Sequence, residues 1–500
     1  MDTVVSLKPI LAVLASLLVT PILVSSRSAN VREAWTFGAA ALKFALVASM
    51  LPQVLAGQEL VWTLATVIPQ APIAFRVDAL GLMFALVASS LWIVTSAYSI
   101  GYMRGLKEHS QTRYFCYFAL ALSATMGVAF AANLLTLYLF YEMLSLATYP
   151  LVTHHQDAEA RSSGRKYLLY IMGTSIAFLL PAMVVCYQQA GSLDFTAAGL
   201  LAGKASPAMA TVLLFLFVFG FAKAAVMPLH SWLPAAMVAP TPVSALLHAV
   251  AVVKVGAFSI LRAVTGIFGL DLLQGYDLGT VLGYVASFTV LTASLIALSQ
   301  DELKRRLAFS TISQLSYIVL GISLLSPRGW LGSFLHIGMH AFGKITLFFC
   351  AGAVFVATGK KYISEMVGIG RRMPITMSCF LIGSLSVIGL PPAGGFLSKW
   401  NLLMGTLQSH QVVFFIVFLV SSFLNACYFL PIVYRAFFVE PHESLFEGGM
   451  REAPGWCLVP IMITAFGSLF LFFYPEPLME LAQMAVAKFM AAGKLAAGSL

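Results

Sequence analysis

Apolar runs of about twenty residues, each closed by a short polar stretch, follow one another along nearly the whole chain, and that is the length a helix needs to cross a hydrocarbon core. Fourteen can be drawn: 9–25, 34–54, 79–101, 114–132, 134–153, 167–188, 209–229, 242–261, 278–299, 307–325, 330–356, 374–408, 412–434 and 455–475. The stretch 55–77 is apolar too and reads as an extra or re-entrant segment, while the last twenty residues, with Lys488 and Lys494 among alanines, read as a short amphipathic tail. Only 10% of residues are charged, against about 25% in soluble chains. The expected fold is therefore all-α, a polytopic membrane protein of about 14 transmembrane helices.

This pattern excludes several function classes. The net charge of +9 sits in short loops between apolar runs, which argues against nucleic-acid binding. The six cysteines are scattered and form no CxxC pair, so neither a disulfide framework nor an iron–sulfur or zinc site is expected. A single lysine, Lys8, precedes the first run, which reads as a retained helix rather than a removed signal. No nucleotide loop, flavin motif or redox ligand set is present. No catalytic residue, metal or cofactor is expected of this chain.

Loop charge fixes an expected orientation. Loops after odd-numbered runs hold 17 of the 29 lysines and arginines, and the opposite side, termini included, holds 7. By the positive-inside rule both termini lie outside the cytoplasm. Asp78 after Arg76 reads as a local interface pair. Asp301, Lys304, Arg305 and Arg306 read as loop charges that set topology and packing.

Two runs carry helix-breaking punctuation. The seventh ends FAKAAVMPLHSWLP with Pro228 and Pro234, and the twelfth holds GLPPAGGFLSKW with Pro391 and Pro392. Freed carbonyls at membrane depth are tolerable only against protein or water. Each break lies near a lysine, Lys223 or Lys399, and falls in the fourth run of a five-run group, the arrangement of an inverted-repeat transporter. The expected organisation is a three-helix segment at 1–112, five-helix repeats at 113–265 and 278–437, and a C-terminal helix and tail at 438–500.

Glu142 is the only carboxylate inside these runs; Lys43, Lys223, Lys254, Lys344 and Lys399 are the bases, with His248, His336 and His340 beside them. A charge at the bilayer centre costs a few kcal/mol or more, so such residues face protein or water and pair with one another. One acid and a line of bases read as a proton or cation route; the bland alternative is a structural ion pair. His336, His340 and Lys344 are spaced by four and share one helical stripe, which fits a relay, packing histidines or, with no third ligand nearby, a metal. His248 is either relay or satisfied by Ser244 and Thr241. Lys399 is either an exit group or a snorkelling side chain. Lys43 has no acid near it and fits either function or a contact with a neighbouring subunit. His230, after the Pro228 break, is an even choice for a proton acceptor at the mouth of the route.

Five stretches carry a resemblance: NLLTLYLFYEMLSLATYPLV (133–152), KAAVMPLHSWLPAAMVAPTPVSALLHAVAVVKVGAFSILR (223–262), SQDELKRRLAFSTISQLSYI (299–318), HIGMHAFGKITLFFCAG (336–352) and GLPPAGGFLSKW. They resemble the proton-conducting antiporter-like subunits found in respiratory complex I, in Mrp sodium/proton antiporters and in energy-converting hydrogenases. The resemblance implies fourteen spans, two inverted repeats and work inside a multi-subunit complex. It implies that Glu142 pairs with Lys223, that Lys254 with His248 is central, that His336, His340 and Lys344 continue the row, and that Lys399 is the exit. A lysine at 399, without a long lateral helix, is most similar to the D-type component of Mrp antiporters or a hydrogenase-type equivalent. Lys43 has no counterpart.

The expected function is a subunit of the bacterial-type inner membrane that conducts protons or exchanges them for sodium. Lysine suits such a row because it can give up its proton when buried, whereas arginine keeps its own. The alternative is a proton-pumping or structural membrane subunit of an NADH dehydrogenase- or hydrogenase-type oxidoreductase. A free-standing solute carrier is disfavoured, as no substrate-sized polar cluster is visible. The expected partners are other membrane subunits, protons or sodium ions, and lipid, with no nucleic acid.

Overall fold

The computed structural model describes residues 2–440 and 450–497, with side chains to 493. The expected C-terminal segment therefore lies outside the described residues at 441–449 and 498–500, as does the Lys494 side chain. Ten helices among the described residues are long and apolar enough to cross a membrane. The four other expected runs hold Gln111–Ala129, Leu303–Ser323 and the two interrupted segments, Pro207–Gly220 and Pro374–Ile388 with its continuation Gly395–Gln408. Polar side chains set the helix starts. Asp78, Asn133, Asp157, Ser206 and Ser326 each accept a backbone N–H three residues on, filling donors that the first turn leaves unpaired.

Two helices form the buried centre. Thr241–Phe268 is surrounded on all sides, and most of Pro327–Thr358 is covered as well. Outer helices such as Ala158–Ala190 and Gly455–Phe473 leave broad apolar faces open, as chains bathed in lipid do. A π-helical turn at Leu246–Val250 widens the central helix around His248, a distortion that recurs at functional sites.

Both expected interruptions are present. The helix Pro207–Gly220 gives way to a tight turn at Ala222–Ala224, with Ala225 at φ 55° and a cis Met227–Pro228 bond. Ile388 ends its helix at Gly389, whose φ of 91° suits glycine, and a cis Pro391–Pro392 bond follows. Gly256 of the central helix presses on the first break, because a Cβ there would overlap the backbone of Lys223 and Ala224.

Three expectations need correction. The stretch 55–77 is a β-hairpin, β2 (Glu59–Ile68) with β3 (Ala71–Val77), and β1 (Thr3–Val5) adds in parallel to β2. Short apolar runs do not distinguish strand from helix; Val61, Trp62, Thr63, Ile73 and Phe75, with Pro69 in the turn, favour the strand. The tail is a helix, Glu476–Ala497, that buries Leu478, Leu481, Ala482, Ala485 and Phe489 against the core. Asp78 does not pair with Arg76, which donates to the Phe195 carbonyl instead. Asp78 takes both guanidinium nitrogens of Arg262 at 2.6 Å and lies 3.8 Å from Lys488, whose ammonium also reaches Glu59 at 2.5 Å.

Candidate functional site

Lys223 sits in the first break, fully buried, where the broken backbone lets it reach across to the Leu134–Val152 helix. Its Nζ donates to the Tyr141 carbonyl at 2.8 Å and Ser145 Oγ at 2.7 Å, and lies 3.1 Å from the Tyr141 ring centroid. Glu142, the next residue along, acts on Lys223 electrostatically but forms no ion pair with it within 4.0 Å. Both carboxylate oxygens are buried without a hydrogen-bond partner. The direct Glu142–Lys223 contact expected of the resemblance is therefore replaced by a carbonyl and a hydroxyl. The glutamate, three positions before Ser145, flanks the same helix face without reaching the ammonium.

The same kind of partner pair, a hydroxyl and a carbonyl, recurs at three other buried lysines. Lys344 Nζ donates to Ser310 Oγ at 2.9 Å and the Leu307 carbonyl at 3.3 Å. Lys399 Nζ donates to the Ile388 carbonyl at 3.1 Å and Ser422 Oγ at 3.4 Å, 4.4 Å from the Tyr317 ring. Lys43 Nζ takes Ser16 Oγ at 2.5 Å and the Leu122 carbonyl at 3.0 Å. A carbonyl accepts N–H from an ammonium or an amine alike. A hydroxyl accepts from the first and donates to the lone pair of the second. Each pocket thus accommodates a lysine in either protonation state without a compensating acid.

The centre of the row is direct. Lys254 Nζ lies 2.8 Å from His340 Nδ1, and the His340 and His336 rings are 5.5 Å apart. His336 Nδ1 meets Ser398 Oγ at 2.8 Å, and Nε2 meets Gln314 Oε1 at 3.1 Å. The Ser398 hydroxyl already donates to the Gly395 carbonyl, so Nδ1 carries the proton. Gln314 Oε1 then fits a doubly protonated ring. Turning the amide over would offer its otherwise unpartnered NH₂ to a neutral Nε2. One amide rotation therefore serves both charge states of His336, whose ring stacks on Tyr317 with Lys399 nearby.

Some expected members stand apart. Both ring nitrogens of His248 lack partners, and Ser244 Oγ is also unpaired; Thr241 donates to Tyr102 instead, so those hydroxyls do not satisfy the imidazole. Lys399 is 5% exposed and points inward, so it does not snorkel. Lys43 is fully buried within this chain, which overturns the neighbouring-subunit contact. His230 is half-buried on a cavity of about 780 Å³ that gathers Glu108, His155, Lys166, Glu302, Lys304 and Lys361 from separate loops and helix ends on the Lys/Arg-rich face. The hydroxyl and amide partners, Ser145, Ser310, Gln314 and Ser398, were not singled out by sequence. Ser310 and Gln314 lie inside the 299–318 stretch, but they are 34 and 22 positions from Lys344 and His336, so no local spacing rule points to them.

These features define a multi-pass helical membrane protein with titratable groups buried through its interior. This chain belongs to the family described as NADH:quinone oxidoreductase/Mrp antiporter, TM, which matches residues 131–425; a second family, described as NADH-Ubiquinone oxidoreductase (complex I), chain 5 N-terminus, matches residues 66–115. The NADH-quinone oxidoreductase subunit N of Desulforudis audaxviator (strain MP104C) is 34% identical over 399 residues, 77% of this chain and 78% of that protein. The Na(+)/H(+) antiporter subunit A1 of Staphylococcus aureus (strain bovine RF122 / ET3-1) is 32% identical over 72% of this chain, which spans only 47% of that relative's length. The Mrp complex from Dietzia sp. DQ12-45-1b contains a chain of the same fold, with a TM-score of 0.84 at 22% identity, covering 98% of this chain and 100% of that one.

Proposed function

We propose that this chain is a proton-translocating membrane subunit of a multi-subunit cation/proton antiporter or complex I-like machine. The single observation carrying this reading is the Lys254–His340 hydrogen bond at 2.8 Å, two buried bases sharing one proton with no acid between them. The path runs from the cavity at His230 to Lys223, its charge set by Glu142, then to Lys254 with His248, to His340, His336 and Lys344, and out near Lys399. Water threads the remaining gaps. We read the Lys/Arg-rich face as cytoplasmic, with both termini opposite, in a bacterial-type inner membrane. We also infer fourteen spans, with two inverted five-helix groups at 113–265 and 278–437 following the segment 1–112 and preceding 438–500. The component it most resembles is the D type of Mrp antiporters, with other membrane subunits as partners and protons, or protons against sodium, as the transported ions.

Replacing Lys223 or Glu142 with alanine in the assembled complex tests the reading. The variants should assemble and lose ion translocation in vesicles; unchanged transport defeats it. A proton-pumping subunit of a redox complex is the second reading, favoured by the 34% identity to an NADH-quinone oxidoreductase subunit. Sodium-dependent proton movement in vesicles, without an electron donor, separates antiport from redox-driven pumping.

A further inference from the structure

The loop after Gly105 and the loop after Val152 bring together a cluster that the translocation row does not use. Glu108 Oε2 lies 3.8 Å from His154 Nε2, 3.8 Å from His155 Nδ1 and 3.9 Å from His109 Nδ1. The donor atoms of Glu108, His109 and His154 all fall within 4.8 Å of one another. In sequence the two loops are more than forty positions apart, which hid the cluster from any spacing rule.

We propose that Glu108, His109 and His154, with His155 closing the shell, bind one divalent transition-metal ion of the zinc type at the rim of the 780 Å³ cavity. Three features carry this. Zinc bonds of about 2.0–2.2 Å set neighbouring ligand atoms about 3.4 Å apart in a tetrahedron, so the observed spacing needs only a small contraction. His109 Nε2 meets the His154 carbonyl at 3.0 Å, which fixes the tautomer that leaves Nδ1 free toward Glu108, the support that metal-binding imidazoles usually have. His154 is fully buried, yet neither ring nitrogen has a hydrogen-bond partner; a buried imidazole with nothing to bind calls for an occupant.

Nitrogen and carboxylate donors in this number suit zinc, nickel or copper better than magnesium or calcium, which want oxygen alone. The consequence rests on the proton-translocation reading: Glu108 and His155 share the cavity with His230, so a bound cation would repel protons from the mouth and slow uptake.

The test is zinc content of the full chain in its complex, stripped with chelator, dialysed against zinc chloride and passed over a sizing column. Wild type should retain one zinc per chain, with imidazole ligation in zinc-edge X-ray absorption. Glu108→Gln and the surface change His109→Ala should weaken binding by roughly tenfold or more. Wild type that retains no zinc, or variants that retain as much as wild type, overturn the site whatever the transport result. Zinc applied to the Lys/Arg-rich side should slow proton uptake in wild type and not in Glu108→Gln; zinc bound without slowing overturns the gating consequence.

Discussion

Lys254 Nζ and His340 Nδ1 meet at 2.8 Å across the interface of two buried helices, Thr241–Phe268 and Pro327–Thr358. At that distance both groups cannot be protonated on the facing atoms, so one proton belongs to the pair. His340 Nε2 has no partner on its far side, and His336 is the next ring along. In the proposed reading the pair is a junction that passes its proton on toward His336.

His340→Ala removes the junction and takes from Lys254 its His340 hydrogen bond. Proton translocation in reconstituted vesicles should fall by on the order of a hundredfold, the usual scale for loss of a positioned proton carrier. Gln314→Leu should act more mildly through the same point, since His336 keeps Ser398 but loses the amide that adapts to either charge state. Wild-type rates in both variants would show that protons travel elsewhere.

Gly256 is the backbone counterpart of that junction. A Cβ at 256 would overlap the Lys223–Ala224 backbone and push the first break away from the central helix. Gly256→Ala should lower thermal stability in detergent by about 1–3 kcal/mol, the usual cost of overpacking, and reduce translocation. Gly38→Ala, where nothing lies within 4 Å, is the matched control and should change neither.

Much of this was legible in sequence because a bilayer leaves few choices. Apolar length located the helices, and prolines located both interruptions, whose reality rests on Ala225 and Gly389 taking left-handed backbone. What stayed hidden depends on three-dimensional register. Glu142 and Ser145 lie three apart on one helix, and only the approach angle of the Lys223 turn decides that Tyr141 and Ser145, not the carboxylate, receive the ammonium. The Asp78–Arg262 pair joins residues 184 positions apart, so a local partner, Arg76, was the natural but mistaken choice. The hairpin was missed because its apolar run satisfies a helix as readily as a strand.

Asp78 makes the fold sensitive to acid. Burial alone would raise its carboxyl, but the Arg262 guanidinium and Lys488 override this and hold it below the usual carboxylate range. A depressed folded value contributes stability above the unfolded pKa, which is lost as pH falls through the folded one. The C-terminal helix Glu476–Ala497, tied down by Lys488 to Glu59 and Asp78, should become protease-sensitive as pH drops below about 4. Asp78→Asn should loosen it already at neutral pH, at a cost of about 3–5 kcal/mol for stranding a buried charge. Identical digestion of the variant and wild type at neutral pH would rule this out.

Lys43 has the same kind of hydroxyl and carbonyl partners as Lys223, Lys344 and Lys399, yet its chemistry has nowhere to go. Its ammonium is enclosed by Ser16, the Leu122 carbonyl and the Trp92 ring at 5.1 Å. None of its hydrogen-bond partners belongs to the row. It ties Lys8–Leu17, Ala29–Ala48 and Gln111–Ala129 together. Removing a buried charge while keeping its volume is often neutral or stabilising, because the desolvation cost goes with it. Lys43→Met should therefore translocate protons at the wild-type rate and unfold at an equal or higher temperature. Lys43→Ala, which leaves a void beside Trp92, should lose about 2–5 kcal/mol. If Lys43→Met folds normally but stops transport, a fifth lysine conducts, and a branch of the route must enter through the first three helices.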